Sequence, residues 1–276
     1  MLTKIEVFNG TSAALSLPFQ DISNGYVVQD VQGLDPVRAT IVSTKLAQLD
    51  GSRRQASRRE NRNIVLQLGF IPELANSDVQ TLRRALYAYL IPKTLVTLRF
   101  HVDGVGFVDI QGEVESCETP LFSAEPEVNV SIICFDPDFY ALASSVAGGL
   151  TTSVAGGQTV FNYPGSSPAG YLFTLPVTRA LSNGFTLYNT LPNGVIQIFD
   201  FEDPLASGDT IKLSTVPGSK SITRTRAGVT ISVHYGVSPE SVWPYFSPGG
   251  NSVRVRANGT PGMPYTIEYL AKYGGL

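Results

Sequence analysis

Between Asp50 and Asn63 the chain sets five arginines, Arg53, Arg54, Arg58, Arg59 and Arg62, around a single acid, Glu60. Guanidinium groups at this density suit phosphate binding or two-point pairing with carboxylates. The stretch has no aromatic residue on which a base could stack, which disfavours nucleic acid. Carboxylates are abundant nearby. Asp103, Asp109, Glu113, Glu115, Glu118, Glu125, Glu127, Asp136 and Asp138 occupy an interval without Lys or Arg. An Asp50-Gly51 turn leads into the arginines, and apolar runs flank them. The segment reads as a polar loop, Ser52–Asn61, on a β framework. Such a loop would dock on acidic surface of a partner, for which the 103–138 region of a neighbouring copy is a candidate.

Little else in the sequence resembles catalytic machinery. His101 and His234 are the only histidines, each in an alternating strand context. No Gly-x-Ser-x-Gly elbow, phosphate-binding glycine loop or strand–Gly-x-Gly-x-x-Gly–helix unit is present. Cys117 and Cys134 lack the spacing of a zinc site and read as buried free thiols of a protein made in a reducing cytosol. Asp200, Glu202 and Asp203 could form a glycosidase pair, but acids at a strand end are also ordinary turn residues. The reading is therefore of a non-enzyme without cofactor or metal.

The elements that must position the arginines and acids are mostly strands. Gly 26, Pro 18, Tyr 12 and Phe 14 in 276 residues, with 43% hydrophobic and only 16% charged residues, indicate a β-rich protein with many turns. The N-terminus does not read as a signal peptide, and no apolar stretch reaches membrane-spanning length. In the first half, Ile64, Leu66, Leu68 and Phe70 alternate, as do Val96, Leu98, Phe100 and Val102. Val108, Ile110 and Val114 form a further inner face, with Asp109, Gln111, Glu113 and Glu115 outward. Val128, Val130, Ile132 and Cys134 make a fourth. Asp103-Gly104 fits a hairpin turn. One helix is expected from Ser77-Asp78-Val79-Gln80, a capping box, followed by Leu82, Leu86 and Leu90 and stopped by Pro92.

Ser-Val-Ala-Gly-Gly occurs at 145–149 and again at 153–157. Residues 143–158 thus read as a Gly/Ser/Ala linker. It separates an N-terminal β-sandwich or α+β domain, 1–142, from a C-terminal all-β domain, 159–276. Candidate strands in the latter are 171–177, 184–190, 195–199, 210–214, 221–225, 252–257 and 265–270, which fits a sandwich or jelly roll. Trp243 or Tyr245 could stack on a sugar ring, with Asn251 or Asp209 binding its hydroxyls. An aromatic-Pro cluster before a Pro-Gly turn is more often a packed corner.

Taken together, these residues resemble the distal tail protein family of long-tailed, non-contractile bacteriophages. In the first half the resemblance rests on Gly33-Leu34, the Asp50-Gly51 turn with its charged loop, the strand 63–70, the helix 78–90 and Cys134-Phe-Asp-Pro-Asp-Phe-Tyr140. In the second it rests on Trp243-Pro-Tyr-Phe-Ser-Pro-Gly-Gly-Asn251 and Tyr273-Gly-Gly-Leu276.

The resemblance implies a structural virion protein, made in the bacterial host cytoplasm and located at the phage tail tip. It implies a homo-oligomeric, hexameric ring joining the tail tube protein to the baseplate hub, with a channel that DNA crosses without specific binding. The C-terminal domain would be a galectin-like β-sandwich carrying tail fibres or a receptor-binding protein. A carbohydrate-binding module acting through that domain is the alternative. An acidic channel wall repels phosphate, so Asp109, Glu113, Glu115, Glu125 and Glu127 are expected at the lumen or a subunit interface.

Overall fold

The computed structural model describes residues 1–10, 13–45, 50–120, 126–153, 157–257 and 262–276. The chain divides into two compact units, Met1–Leu142 with Tyr273–Leu276, and Ala143–Lys272. The final four residues thus belong to the first unit and not to the C-terminal domain expected from the sequence.

The first unit contains β1 (Leu2–Phe8), β2 (Leu15–Pro18), β3 (Tyr26–Gln32), β4 (Ala39–Thr44), β5 (Arg53–Arg59), β6 (Arg62–Phe70), α1 (Val79–Tyr87), β7 (Leu95–Val102), β8 (Gly106–Glu118), β9 (Glu127–Cys134) and β10 (Phe139–Ala141). Seven of these strands pair in the order β2-β1-β7-β8-β9-β6-β3, with β10 beside β8. All of these pairings are antiparallel. The alternation read from the sequence produces the core. Ile64, Leu66 and Leu68, Val96, Leu98 and Phe100, Val108, Ile110 and Val114, and Val128, Val130, Ile132 and Cys134 are all buried. Fully burying a side chain of this kind contributes about 1.5–3 kcal/mol, so the shared apolar face sets the pairing register.

Helix α1 lays Leu82 and Leu86 on this core, and the Tyr26 hydroxyl donates to Leu82 O at 2.8 Å. Its N-cap is Asp78, one residue later than the Ser77 cap expected: Asp78 Oδ1 accepts the Thr81 N–H at 2.7 Å. A carboxylate there also meets the positive end of the helix dipole, which a serine hydroxyl would not match.

The second unit contains β11 (Ser145–Leu150), β12 (Thr159–Tyr163), β13 (Leu172–Pro176), β14 (Phe185–Thr190), β15 (Ile196–Phe201), β16 (Thr210–Ser214), β17 (Ser221–Arg226), β18 (Val229–Ser232), β19 (Gly249–Ala257) and β20 (Pro264–Tyr269). They form two sheets, β11-β20-β13-β16-β17-β18 and β12-β19-β14-β15. Aromatic rings fill the space between them: Phe173 of one sheet lies 5.7 Å from Phe185 of the other. Phe246 is within 5.7 Å of Phe161 and 4.6 Å of Tyr171. This is a β-sandwich.

The linker expected at 143–158 is corrected in its first part. Ser145 to Leu150 is an edge strand, paired with β20 from Ser145↔Tyr269 to Leu150↔Pro264. Its glycines allow close packing and are not a sign of slack: a Cβ on Gly149 would lie 2.4 Å from the Tyr265 hydroxyl oxygen. Residues 154–156, in the second copy of the repeat, lie outside the described residues.

Candidate assembly surfaces

The arginine segment is a strand and not a loop. Among the described residues β5 pairs with β4 alone, from Ala39↔Arg59 to Thr44↔Arg53, with a bulge after Val42. Every residue of both strands is exposed. Ile41 is 65% exposed and Val42 47%. Because both faces meet water, the sequence shows no buried period of two, which hides the strand. A two-stranded ribbon with no core of its own is marginally stable in isolation.

The five arginines separate into two groups. Arg53, Arg54 and Arg58 lie along the exposed ribbon, and Arg54 donates locally to the Ser57 hydroxyl. Arg59, at its base, donates from Nη1 and Nη2 to Asp138 Oδ1 and Oδ2 at 2.5 and 2.7 Å. Its side chain is 44% exposed, while that of Asp138 is 0% exposed. The Asp138 hydrogen bond raises the Arg59 pKa further above its already high ordinary value.

Arg62 is corrected from an arm residue to a core one, only 1% exposed. Its Nε donates to Pro137 O at 2.7 Å, Nη1 to Asp35 O at 2.7 Å and also to Gly33 O, and Nη2 to Gly274 O at 2.7 Å. The guanidinium lies over the Phe139 ring, 4.4 Å from its centre. Burial lowers its pKa, but an arginine stays charged. Gly33 is required for this arrangement: it has φ +88°, and a Cβ there would fall 2.0 Å from Asn63 O. The ribbon is thus held at its base by Arg59 and Arg62 and is open along the rest of its length.

The acids are only partly a bare field. Asp109 accepts from Arg99 Nε and Nη2 at 2.8 and 2.9 Å. This pair is directly opposed across the β7–β8 hairpin, so the Asp103-Gly104 turn could have located it. Asp136 accepts from the Asp138 N–H at 3.2 Å and from the Tyr140 hydroxyl. Glu115 is exposed and accepts from Ser131 Oγ at 2.7 Å. Glu113 and Glu127 are half-buried, and Glu125 lies outside the described residues. Asp109, Asp136, Asp138 and Tyr140 share a groove of about 420 Å³ with Leu95 and the exposed Phe135.

The polar sugar candidates of the second unit are already committed. Asn251 is buried, accepts the Ser247 N–H at 3.0 Å, and donates to Ser247 O and Gly249 O at 2.7 and 2.9 Å. It closes the turn before β19. Asp209 is buried against Arg226, which donates twice at 2.7 Å and holds the carboxyl below its ordinary range. Trp243 packs edge-on against Phe199 at 5.3 Å, and Tyr245 remains exposed.

The other chemical candidates do not converge. Asp200 accepts from Thr186 Oγ1 at 2.8 Å, while Asp203 pairs with Arg224 at 3.2 Å. His101 Nε2 contacts Glu6 at 3.0 Å. Burial pushes the Cys117 and Cys134 thiols up to about 11, away from the reactive thiolate. Among the described residues no cluster of His, Cys, Asp and Glu could hold a metal ion, and no helix is long and apolar enough to cross a membrane.

No protein-family model and no curated protein matches the sequence. Solved structures do match. The crystal structure of the Dit protein of phage SPP1, described as a paradigm of the hub adsorption apparatus in phages infecting Gram-positive hosts, aligns with a TM-score of 0.66. The alignment covers 97% of this chain and 98% of that one at 14% identity. Chains of the phage P2 baseplate in its activated conformation align with TM-scores of 0.44 (9% identity, 100% of both chains) and 0.41 (8% identity, 96% of this chain and 97% of that one). Along nearly its whole length the chain has the fold of a phage distal tail protein.

Proposed function

We propose that the protein is a non-enzymatic structural component of a phage tail tip, in which copies of the first unit join into a closed, six-fold ring between tail tube and baseplate hub. The observation that carries this reading is the β4–β5 ribbon. It exposes two large apolar residues and three arginines on an arm that its own unit holds at the base, and a neighbouring copy would cover the rest. The groove holding the exposed Phe135 and Asp136 offers apolar and acidic surface of matching character, with Asp109 there already paired to Arg99. Repeating one heterologous contact around an axis closes a ring. Asp109, Glu113, Glu115 and Glu127 would then face the lumen or the subunit interface, and an acidic wall would let DNA pass without adhering. The second unit would be a galectin-like sandwich at the periphery, carrying fibres or a receptor-binding protein.

The carbohydrate alternative loses support because Asn251 and Asp209 are occupied within the fold. The mass and rotational symmetry of the purified protein, alone and with its tail-tube and hub partners, test the ring. A six-fold ring in either condition supports it, and a monomer in both overturns it.

A further inference from the structure

Trp243 is the single tryptophan of the chain. It lines a small surface groove of about 240 Å³ in the second unit, together with Pro168, Pro217, Lys220, Pro244 and Tyr245. Two aromatic rings and three proline rings make up most of its walls. Polar groups close by are already used: Thr215 Oγ1 bonds to the Tyr171 backbone, and Gln197 Oε1 accepts the Tyr245 N–H at 3.0 Å. The exposed Lys220 carries its ammonium 5.8 Å from the centre of the Trp243 ring and makes no ion pair among the described residues. The indole N–H likewise has no hydrogen-bond partner among them. Alongside, the backbone N–H of Val242 donates to Ile198 O at 2.7 Å, and both side chains are exposed, so apolar surface continues past the groove.

We propose that this groove is a docking site for an extended, proline-bearing peptide segment of a partner protein that carries a carboxylate beside its prolines. Flat aromatic walls accept pyrrolidine rings, and a polyproline II segment gives up little conformational entropy on binding. An indole N–H is suited to donate to a peptide carbonyl, because such a segment leaves its own carbonyls unbonded. The Lys220 ammonium over the Trp243 ring selects the acidic side chain. A sugar fits less well, since its hydroxyls need several acceptors as well as donors, and Thr215 Oγ1 and Gln197 Oε1 are committed.

Emission from the single tryptophan reports on the site directly. The full-length protein is titrated with a synthetic nonapeptide of three Pro-Pro-Glu repeats, with Ala-Ala-Glu and Pro-Pro-Lys versions, and with maltohexaose and chitohexaose. The expected result is a saturable change in Trp243 emission with Pro-Pro-Glu below roughly 1 mM, weaker by about tenfold or more with either peptide control. Lys220→Glu, an exposed substitution, should reverse the preference between the glutamate and lysine peptides. Tyr245→Ala should weaken both. No saturable change with any peptide, equal binding of all three, or tighter binding of an oligosaccharide would each overturn the proposal. These readouts do not involve ring formation, so they stand or fall apart from the assembly reading.

Discussion

Arg59 and Asp138, 79 positions apart in sequence, meet through two parallel hydrogen bonds at the base of the β4–β5 ribbon. The carboxylate is fully buried and the guanidinium nearly half exposed, so the two halves of the pair are not equivalent. Replacing Arg59 by Ala removes two charge-assisted hydrogen bonds from a buried carboxylate, with a cost of about 1–3 kcal/mol. Replacing Asp138 by Asn leaves an arginine that can turn to solvent and a side chain that still accepts a hydrogen bond. Arg59→Ala is therefore expected to lower the unfolding temperature of the first unit more than Asp138→Asn, as read by calorimetry. Equal shifts would show that the carboxylate gains no more from the pair than the guanidinium does.

Arg62 gathers four carbonyls from three segments, and no other side chain can reproduce that fan of donors. Arg62→Lys keeps the charge but loses the planar geometry, so the half-buried carbonyls of Gly33 and Pro137 can no longer both be reached by guanidinium donors. A loss of about 2–4 kcal/mol is expected, with chemical denaturation as the measurement. Because Gly274 is one of the four acceptors, the variant should also expose the last residues to carboxypeptidase. Wild-type stability and protease resistance in this variant would show that the guanidinium fork is dispensable.

Asp209 gives the second unit an acid sensitivity. The Arg226 guanidinium holds its folded-state pKa below the unfolded value of about 3.9. Its stabilising contribution is then fully present above that unfolded value and lost as pH falls through the lower folded one. Asp209→Asn should reduce stability near neutrality while flattening the fall below about pH 4. Thermal unfolding from pH 7 down to pH 2.5 compares the two profiles, and parallel curves would exclude Asp209 as a contributor.

Where one face of a strand meets a core, the sequence was readable. Ile64, Leu66 and Leu68 alternate because burial on one side demands it, and the same holds for β7, β8 and β9. Three features escaped for physical reasons. The β4–β5 ribbon has water on both faces and leaves no period of two. The β11 strand reads as linker because its glycines, which pack closely against Tyr265, have the composition of a flexible segment. Arg62 looked like its exposed neighbours because burial of a guanidinium depends on distant carbonyls, at Pro137 and Gly274, that local spacing does not reveal. The Arg99–Asp109 pair was accessible in principle, since the hairpin turn at Asp103-Gly104 fixes which residues face each other.

The ribbon makes the separation between folding and assembly testable. Ile41, Val42, Arg53, Arg54 and Arg58 are exposed, so replacing them with Ser should change the stability of the isolated chain by no more than about 0.5 kcal/mol each. If a neighbouring copy covers them, the same changes remove apolar area and charge-assisted hydrogen bonds from every interface of a ring at once. The apolar pair, Ile41→Ser with Val42→Ser, acts through buried area and should weaken assembly at all salt concentrations. The arginine triple acts through charge and should weaken it most at low ionic strength, where screening is least. Sedimentation velocity across a salt series distinguishes the two variants. Rings that form from both as readily as from wild type would remove the ribbon from the interface. Loss of the subunit's own cooperative unfolding would instead mean that the ribbon serves the fold and not the assembly.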